Sequence, residues 1–423
     1  MISYREAENI LYEVGLSRSI KIENRSIKDS VGFVLAQDLI SQENVPSFNN
    51  SAMDGFAISS HWTKWATKNV PLVLPVGELL VAGQDSTAIK IQKELAFEIM
   101  TGAMLPSHPI DTVIRIEDVI VQKNAEGKIT RIIIDRKYEP GENVRLAGTD
   151  IRMGHVLMKE GRLLGHEDLL SLSSLGISQI PIKKWPKMAL ISTGSELVDY
   201  HIQDLPMGKI RNSSALYLLS MMNEAQLYPE WLGVVQDEQE IFEKKISEAI
   251  SNETEIILST GAVSMGKFDF VLDSIKKLGA KIYFHKSAIR PGKPILFAEF
   301  PNSPKKTVFV GLPGNPVSSA VGLRFFVVPF LRGYMNFKLE HTQTMKLEND
   351  FLKPQGLRCF FKAQTRIDNG IARVLALNGQ ASYMVSSMQN ANAWVVFGEQ
   401  GDKVTAGDEV QVYPMKLFDK EIL

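Results

Sequence analysis

Three glycine-rich loops hold most of the residues in this chain whose types and spacing could do chemistry. They read Ser259-Thr-Gly-Ala-Val-Ser-Met-Gly-Lys-Phe-Asp269, Lys286-Ser-Ala-Ile-Arg-Pro-Gly-Lys-Pro294 and Gly311-Leu-Pro-Gly-Asn-Pro-Val-Ser-Ser319. The first two follow apolar runs, Glu255-Ile-Ile-Leu258 and Lys281-Ile-Tyr-Phe-His285, as expected at the carboxyl ends of strands. Loops in that position that open into helices offer backbone N–H groups and a positive dipole end to anions. Asp269 adds a carboxylate, and Lys286, Arg290 and Lys293 add cations. That set suits a phosphate or other oxyanion together with a metal ion. Glycine and proline also simply punctuate turns, and a single such loop would carry little weight. Three in one unit read as a site.

The elements that must position these loops form a regular alternation. From Lys187 the chain reads strand (Met188–Ile191), loop (Ser192-Thr-Gly-Ser-Glu196), helix (Ser213–Ala225), strand (Trp231–Val235), helix (Glu238–Ser251), strand (Glu255–Leu258) and helix (Phe268–Leu278). Such a rhythm predicts a parallel sheet in a three-layer α/β domain. Its loops would gather at one sheet edge, where ligands bind in open α/β sheets. Before it, residues 3–16 show helical spacing of Ala7, Ile10, Leu11 and Val14, with Gly15 as the expected stop. Residues from about 70 to 135 read as short strands and turns, among them Val113–Ile116 and Ile129–Ile134. After residue 336 short strands return, at Cys359–Thr365, Ile371–Leu377, Trp394–Phe397 and Glu409–Tyr413. The expected division is an N-terminal and linker domain (1–45 and 140–178), a β-rich second domain (46–139), the α/β domain (179–335) and a C-terminal β-domain (336–423).

Composition bounds the function classes. A chain of 423 residues exceeds one compact core, and its 44% hydrophobic and 22% charged content is that of an ordinary globular protein. A net charge of −1 supplies no basic field for non-specific nucleic-acid binding. The single cysteine, Cys359, excludes an intrachain disulfide and a cysteine-rich zinc site, and reads as a buried, inert thiol. No apolar run approaches membrane-spanning length, and Phe325–Leu331 is broken by Pro329. The expected location is cytoplasmic, with no nucleic-acid or membrane partner.

Seven collinear motifs together resemble the molybdopterin molybdenumtransferase family (MoeA and the gephyrin E domain). They are Pro46-Ser-Phe-Asn-Asn-Ser-Ala-Met-Asp-Gly-Phe-Ala57, Ile99-Met-Thr-Gly-Ala103, Gly141-Glu-Asn-Val-Arg145 with Gly148-Thr-Asp150, Ser192-Thr-Gly-Ser-Glu-Leu197, and the three loops above. The resemblance covers essentially the whole chain. It implies an enzyme that takes adenylylated molybdopterin and molybdate, releases AMP with Mg²⁺, and inserts molybdenum into the dithiolene. It also implies a homodimer whose active site lies where the α/β domain of one subunit meets the second domain of the other. The molybdopterin adenylyltransferase and the apo-molybdoenzymes would be its protein partners.

By the same resemblance, Asp237 and Asp269 form the metal-proximal pair, with Glu196 beside them, while Asp54 and Asp150 supply acidic groups from outside the α/β domain. A pyrophosphate calls for such a metal held by carboxylates. Lys286, Arg290, Lys293, Ser264 and Ser318 are the candidates for molybdate, a tetrahedral dianion suited to fixed cations and hydroxyls. Thr101, Arg145, Pro313 and Pro316 complete the substrate-binding set, and Lys362 and Ser386–Ser387 match more loosely. Each has an ordinary reading as well. Asp54 and Asp150 sit in turns, where Asp commonly caps backbone N–H groups. Glu196 could complement a helix dipole, and Asp269 could cap the following helix. His285 reads as a strand-end residue, and Met221–Met222 as core.

The chain departs from the family at Ser195, Ala262, Lys267 and Arg290, where Asp, Gly, an acidic residue and Lys are usual, and at Thr149 and Ser214. Arg290 keeps its charge but forks it. These departures keep open a catalytically weakened paralogue that acts as a scaffold or cofactor carrier. A molybdopterin adenylyltransferase is the remaining alternative, although that family has Gly-Gly-Thr-Gly where this chain reads Gly261-Ala-Val-Ser and lacks the extra β-domains.

Overall fold

The computed structural model describes residues 1–91, 93–261 and 270–418. Its centre is a six-stranded sheet of β1 (Met188–Thr193), β2 (Glu230–Val235), β3 (Ile256–Thr260), β4 (Lys281–His285), β5 (Leu296–Glu299) and β6 (Val308–Leu312), in the order β2-β1-β3-β6-β5-β4. Strands β2, β1, β3 and β6 are parallel. The all-parallel expectation fails at β5, which is antiparallel to both β6 and β4. Because β4 is reversed twice, it points the same way as β6. The loop after it therefore opens at the same edge as those after β1, β3 and β6.

Helices cover both faces, as the near-continuous apolar strands require. Leu190 and Leu258 face one core, joined by Ala215, Leu218 and Met222 of α2 (Ser213–Glu224). Ile191 and Ile257 face the other, with Phe242 and Ile246 of α3 (Gln239–Ser251) and Val271 and Ile275 of α4 (Val271–Lys277). The chain continues through α5 (Pro316–Gly322) and α6 (Val328–Tyr334).

Helix α1 (Tyr4–Leu16) starts where Ser3 Oγ accepts the Glu6 N–H, and buries Ala7 and Leu11 in the first core. Gly15 does not stop it. A β-carbon there would lie 2.3 Å from Phe330 O, and one on Gly333 would lie 2.2 Å from Tyr12 O. The two glycines let α1 and α6 approach backbone to backbone, so the sequence signal marked close packing and not a terminus.

Strand Gln179–Lys183 pairs with Ile22–Ser26 and Val34–Leu35, so segments before and after the second sheet share one small sheet. Between them lies a six-stranded sheet in the order Thr112–Arg115, Gly55–Ile58, Ala96–Ile99, Leu72–Leu80, Ile129–Ile134, Ile120–Lys123. At the C-terminal end, Arg358–Asp368 pairs with both Ile371–Ala376 and Ala393–Phe397, which closes a barrel through Gln343–Leu347 and Glu409–Pro414. Cys359 is buried in that barrel, and burial pushes its thiol up to about 11. The burial agrees with the expectation of a buried thiol.

Candidate active site at the loop edge of the central sheet

Loops after β1, β2, β3, β4 and β6 meet at the carboxyl edge of the central sheet. At the end of β1, Ser192 and Thr193 are buried, with Ser192 Oγ and Thr260 Oγ1 sharing a hydrogen bond at 2.7 Å and Thr193 Oγ1 donating to Thr260 O at 3.2 Å. Asn212 caps α2 by accepting from Ala215 N at 3.1 Å and donates to Ser192 Oγ at 3.1 Å. The loops after β1 and β3 are thus joined below their tips by hydroxyls. The sequence analysis missed Asn212, although a cap residue just ahead of an apolar helix was a visible signal.

The first acidic group is Asp237, which follows β2 with φ +38°, a left-handed conformation that Asp tolerates. Its Oδ2 accepts the Ser195 N–H at 2.9 Å. Asp237 therefore fixes the backbone of the neighbouring loop, on which Glu196 folds back over Gly194, its carboxylate 2.6 Å from where a glycine β-carbon would sit. Asp237 Oδ1 has no hydrogen bond to a described residue. Hard oxygen donors of this kind suit Mg²⁺. Among the described residues no group of three or more potential metal ligands forms. Asp269, Ser264, Ala262 and Lys267 lie outside the described residues.

Close backbone approach explains the glycines. Gly261, at φ +90°, would place a β-carbon 2.3 Å from Thr193 O, and its N–H donates to Leu312 O at 3.1 Å. A β-carbon on Gly314 would lie 3.5 Å from Gly261 Cα. A β-carbon on Gly292, at φ +97°, would lie 3.5 Å from Ser318 O and 3.9 Å from Pro313 Cγ. The three glycine-rich loops therefore touch in series. Pro313 is buried, and Pro316 takes the first turn of α5, where a missing N–H leaves no orphan donor. Ser318 is buried inside α5, and Ser319 Oγ donates to Pro313 O.

The cationic loop is gripped from both sides. Ile2 N donates to Lys286 O at 3.2 Å and Ala288 N to Ile2 O at 2.8 Å. On its other flank, Ile289–Arg290 pairs in parallel with Arg358–Cys359 of the C-terminal barrel. Lys286 sits at φ +85°, half-buried, and Arg290 and Lys293 are exposed. None of the three makes an ion pair with a described carboxylate. A rigid backbone that presents such cations is what an oxyanion site needs.

The C-terminal barrel closes the edge from another direction. Val317 N, in α5, donates to Ser382 O at 3.1 Å. From the barrel strand Arg358–Asp368, Lys362, fully buried, donates to Gly379 O at 2.6 Å and Met384 O at 2.9 Å on either side of Ser382, and burial pulls its pKa down. Ser387 Oγ donates to Gly379 O at 3.0 Å. Lys362 is thus committed to carbonyls and is not a free cation.

The remaining predicted residues form a separate group. Asp54 Oδ1 accepts both the N–H (2.7 Å) and the hydroxyl (2.9 Å) of Thr101, and these bonds hold its carboxyl below the usual range. Arg145 is exposed on a strand paired to Asn50–Ser51, and exposed Asp150 donates its N–H to Val45 O at 3.0 Å. No hydrogen bond or ion pair joins Asp54, Thr101, Arg145 or Asp150 to the central-sheet loops among the described residues. Among the described residues, Asp54 has Thr101 as its partner, as the cap reading expects.

Comparison with known proteins places this arrangement. The chain matches the MoeA N-terminal region (domain I and II) over residues 2–176, a probable molybdopterin binding domain over 189–333, and the MoeA C-terminal region (domain IV) over 344–415. It is 31% identical over 414 residues to a molybdopterin molybdenumtransferase of Synechococcus elongatus, covering 97% of this chain and 99% of that one. A Haemophilus influenzae protein of the same name is 31% identical over 403 residues, covering 93% of each. Among solved structures, a molybdopterin biosynthesis MoeA protein from Pyrococcus horikoshii matches with a TM-score of 0.81 at 29% identity, over 98% of this chain and 99% of that one.

Proposed function

The chain belongs to the molybdopterin molybdenumtransferase (MoeA) family, and from that premise we propose how its loop edge carries out the reaction. The protein is a transferase of molybdenum cofactor biosynthesis that acts on molybdopterin. All three MoeA regions are present, which disfavours both a bare adenylyltransferase and a separate carrier role.

In our reading the substrate is adenylylated molybdopterin, and the products are AMP and molybdenum-loaded pterin. Mg²⁺, when bound, offsets charge on the pyrophosphate. Asp237 would hold it through the oxygen left free by Ser195, with Asp269 as the second ligand and Glu196 alongside. Lys286, Arg290 and Lys293 bind and orient molybdate, with Ser264 and Ser318 as hydroxyl donors, while Pro313 and Pro316 shape the wall. The protein functions as a cytoplasmic homodimer, in which Asp54, Asp150, Thr101 and Arg145 complete the site of the twofold-related subunit. Their exposure, and the lack among the described residues of any tie from them to the chain's own central loops, support that assignment. The domain limits expected from the sequence (1–45 with 140–178, 46–139, 179–335 and 336–423) stand as part of this proposal. So do the adenylyltransferase as donor and the apo-molybdoenzymes as recipients.

The observation that carries the reading is the meeting, at one sheet edge, of three cations that lack a described carboxylate partner with the Asp237–Glu196 loop pair. Purified protein supplied with adenylylated molybdopterin, Mg²⁺ and molybdate should release AMP and yield metal-loaded pterin. Tight binding without AMP release would instead favour the scaffold.

A further inference from the structure

A second concave region lies at the other end of the central sheet. It is a cleft of about 500 Å³ at the amino ends of β1 and β3, within the usual size range of small-molecule sites. Arg25 and Phe33 of the N-terminal sheet form one wall, Tyr228 and Glu253 beyond the ends of α2 and α3 form another, and Trp185 stands between them. Trp185 belongs to the segment Lys184–Lys187, by which the chain passes from the N-terminal sheet into β1. Any occupant would touch both layers and their connection.

Two properties of the lining define the ligand. The first is flat aromatic surface. Tyr228 stands 62% exposed at the rim and supplies most of it, while Trp185, packed at 5.0 Å on Phe418, reaches the cleft by an edge and Phe33 lies beneath Arg25. The second is surplus positive charge. Lys21, Arg25, Lys184 and Lys187 line the cleft against two carboxylates, Glu253 and Glu255. Glu253 is drawn to Lys305 at 3.3 Å, and Glu255 already accepts the Lys187 N–H at 2.9 Å and the Tyr334 hydroxyl at 3.1 Å. Glu23 is shared between Arg25 at 2.8 Å and Lys184 at 3.3 Å. Even with Glu23 and Lys305 included, five cations face three carboxylates. Lys21 has no carboxylate partner among the described residues. The Arg25 guanidinium lies 3.9 Å from the Phe33 ring centre, and its Nε is shut from solvent without a hydrogen bond. Lys187 is already engaged, since its Nζ donates to Asn252 O at the end of α3.

We propose that this cleft is a binding site for a small planar aromatic anion, distinct from the reaction site at the opposite sheet edge. The ring lies against Tyr228 at the rim and the edge of Trp185 that reaches the cleft, and its phosphate, carboxylate or sulfonate group is held by Lys21, Arg25 and Lys184. Stacking on aromatic faces combined with fixed cations selects both halves of such a molecule. Bound there, it ties the N-terminal sheet to the α/β layer.

The test uses 1-naphthyl phosphate as probe on the intact chain, with 1-naphthol and inorganic phosphate as its two halves, followed by calorimetry. Saturable one-to-one binding is expected, at least tenfold tighter than either half. Lys21→Glu and Trp185→Leu should each weaken it tenfold or more. Lys21 is exposed, so its variant reports on binding even if loss of Trp185 disturbs folding. Lys293→Ala, at the opposite edge, should leave the affinity within twofold. Absence of saturation at millimolar probe would overturn the proposal, as would either half binding as tightly as the whole. Indifference to Lys21→Glu, or loss of binding in Lys293→Ala, would place the probe elsewhere and overturn it equally.

Discussion

The residues proposed for one reaction are held in two different ways. At the central-sheet edge, loops interlock through backbone contacts so close that glycine is required at Gly261, and the cationic loop is clamped between residue 2 and the C-terminal barrel. In the second sheet, Asp54 and Thr101 are exposed and bonded to each other between two neighbouring turns. The first group is preorganised by its own fold, as electrostatic catalysis requires. The second has local order but no target within the chain among the described residues. In the proposed split site, a partner subunit would present the second group to the first.

The difference in packing gives the largest expected effect. Gly261→Ala should cost about 3 kcal/mol or more, since a β-carbon 2.3 Å from Thr193 O forces buried backbone apart. Gly102→Ala, at φ +82° with nothing within 4 Å of its β-carbon, should cost only about 1–2 kcal/mol of backbone strain. Denaturant titration of both variants checks the pair, and equal losses would erase the distinction between the regions.

A smaller effect is expected within the clamped loop. Lys293 is exposed and its backbone carbonyl accepts from Ser287 N and Ile295 N at 3.1 Å each, so removing the side chain should leave the loop standing. Lys293→Ala should raise the molybdate concentration for half-maximal insertion about tenfold, the loss of one charge-assisted contact. Adenylate binding should change little. An unaltered molybdate dependence moves the oxyanion site off this loop.

The smallest effect concerns protonation of Asp54. Its carboxyl is depressed first by the Thr101 N–H and then by the Thr101 hydroxyl. A depressed folded pKa means that the favourable contribution is present above the unfolded pKa and lost as pH falls through the folded one. Thr101→Val removes the hydroxyl bond but keeps the N–H. The acid limb of the activity profile should therefore move to higher pH, by less than a unit. A profile that stays fixed separates Asp54 from the reaction.

The parts legible in the sequence were those set by local physics. Alternating apolar runs and helix patterns located the central α/β layer, and glycine with proline marked the loop edge. Strand direction was not legible, because an apolar run such as Leu296–Glu299 looks the same in either sense, and β5 is antiparallel. Gly15 was misread because a helix stop and a close helix contact call for the same residue. Pairing of Ile289–Arg290 with Arg358–Cys359 joins segments far apart in the chain and has no local signal. Lys362 looked like a cation available to substrate, yet its ammonium group is spent on two carbonyls that no sequence pattern reveals.

Subunit mixing tests the split site most directly. Asp54→Asn and Asp237→Asn homodimers should each be nearly inactive. The amide that replaces the Asp237 carboxylate retains an oxygen to accept the Ser195 N–H, so the loop keeps its shape. Co-refolding equal amounts should give heterodimers with one doubly damaged and one intact site. About a quarter of wild-type AMP release should then return, since half the dimers are mixed and half of their sites are whole. If a mixture with heterodimers verified by native mass spectrometry stays inactive, Asp54 serves its own subunit and the split-site account is wrong.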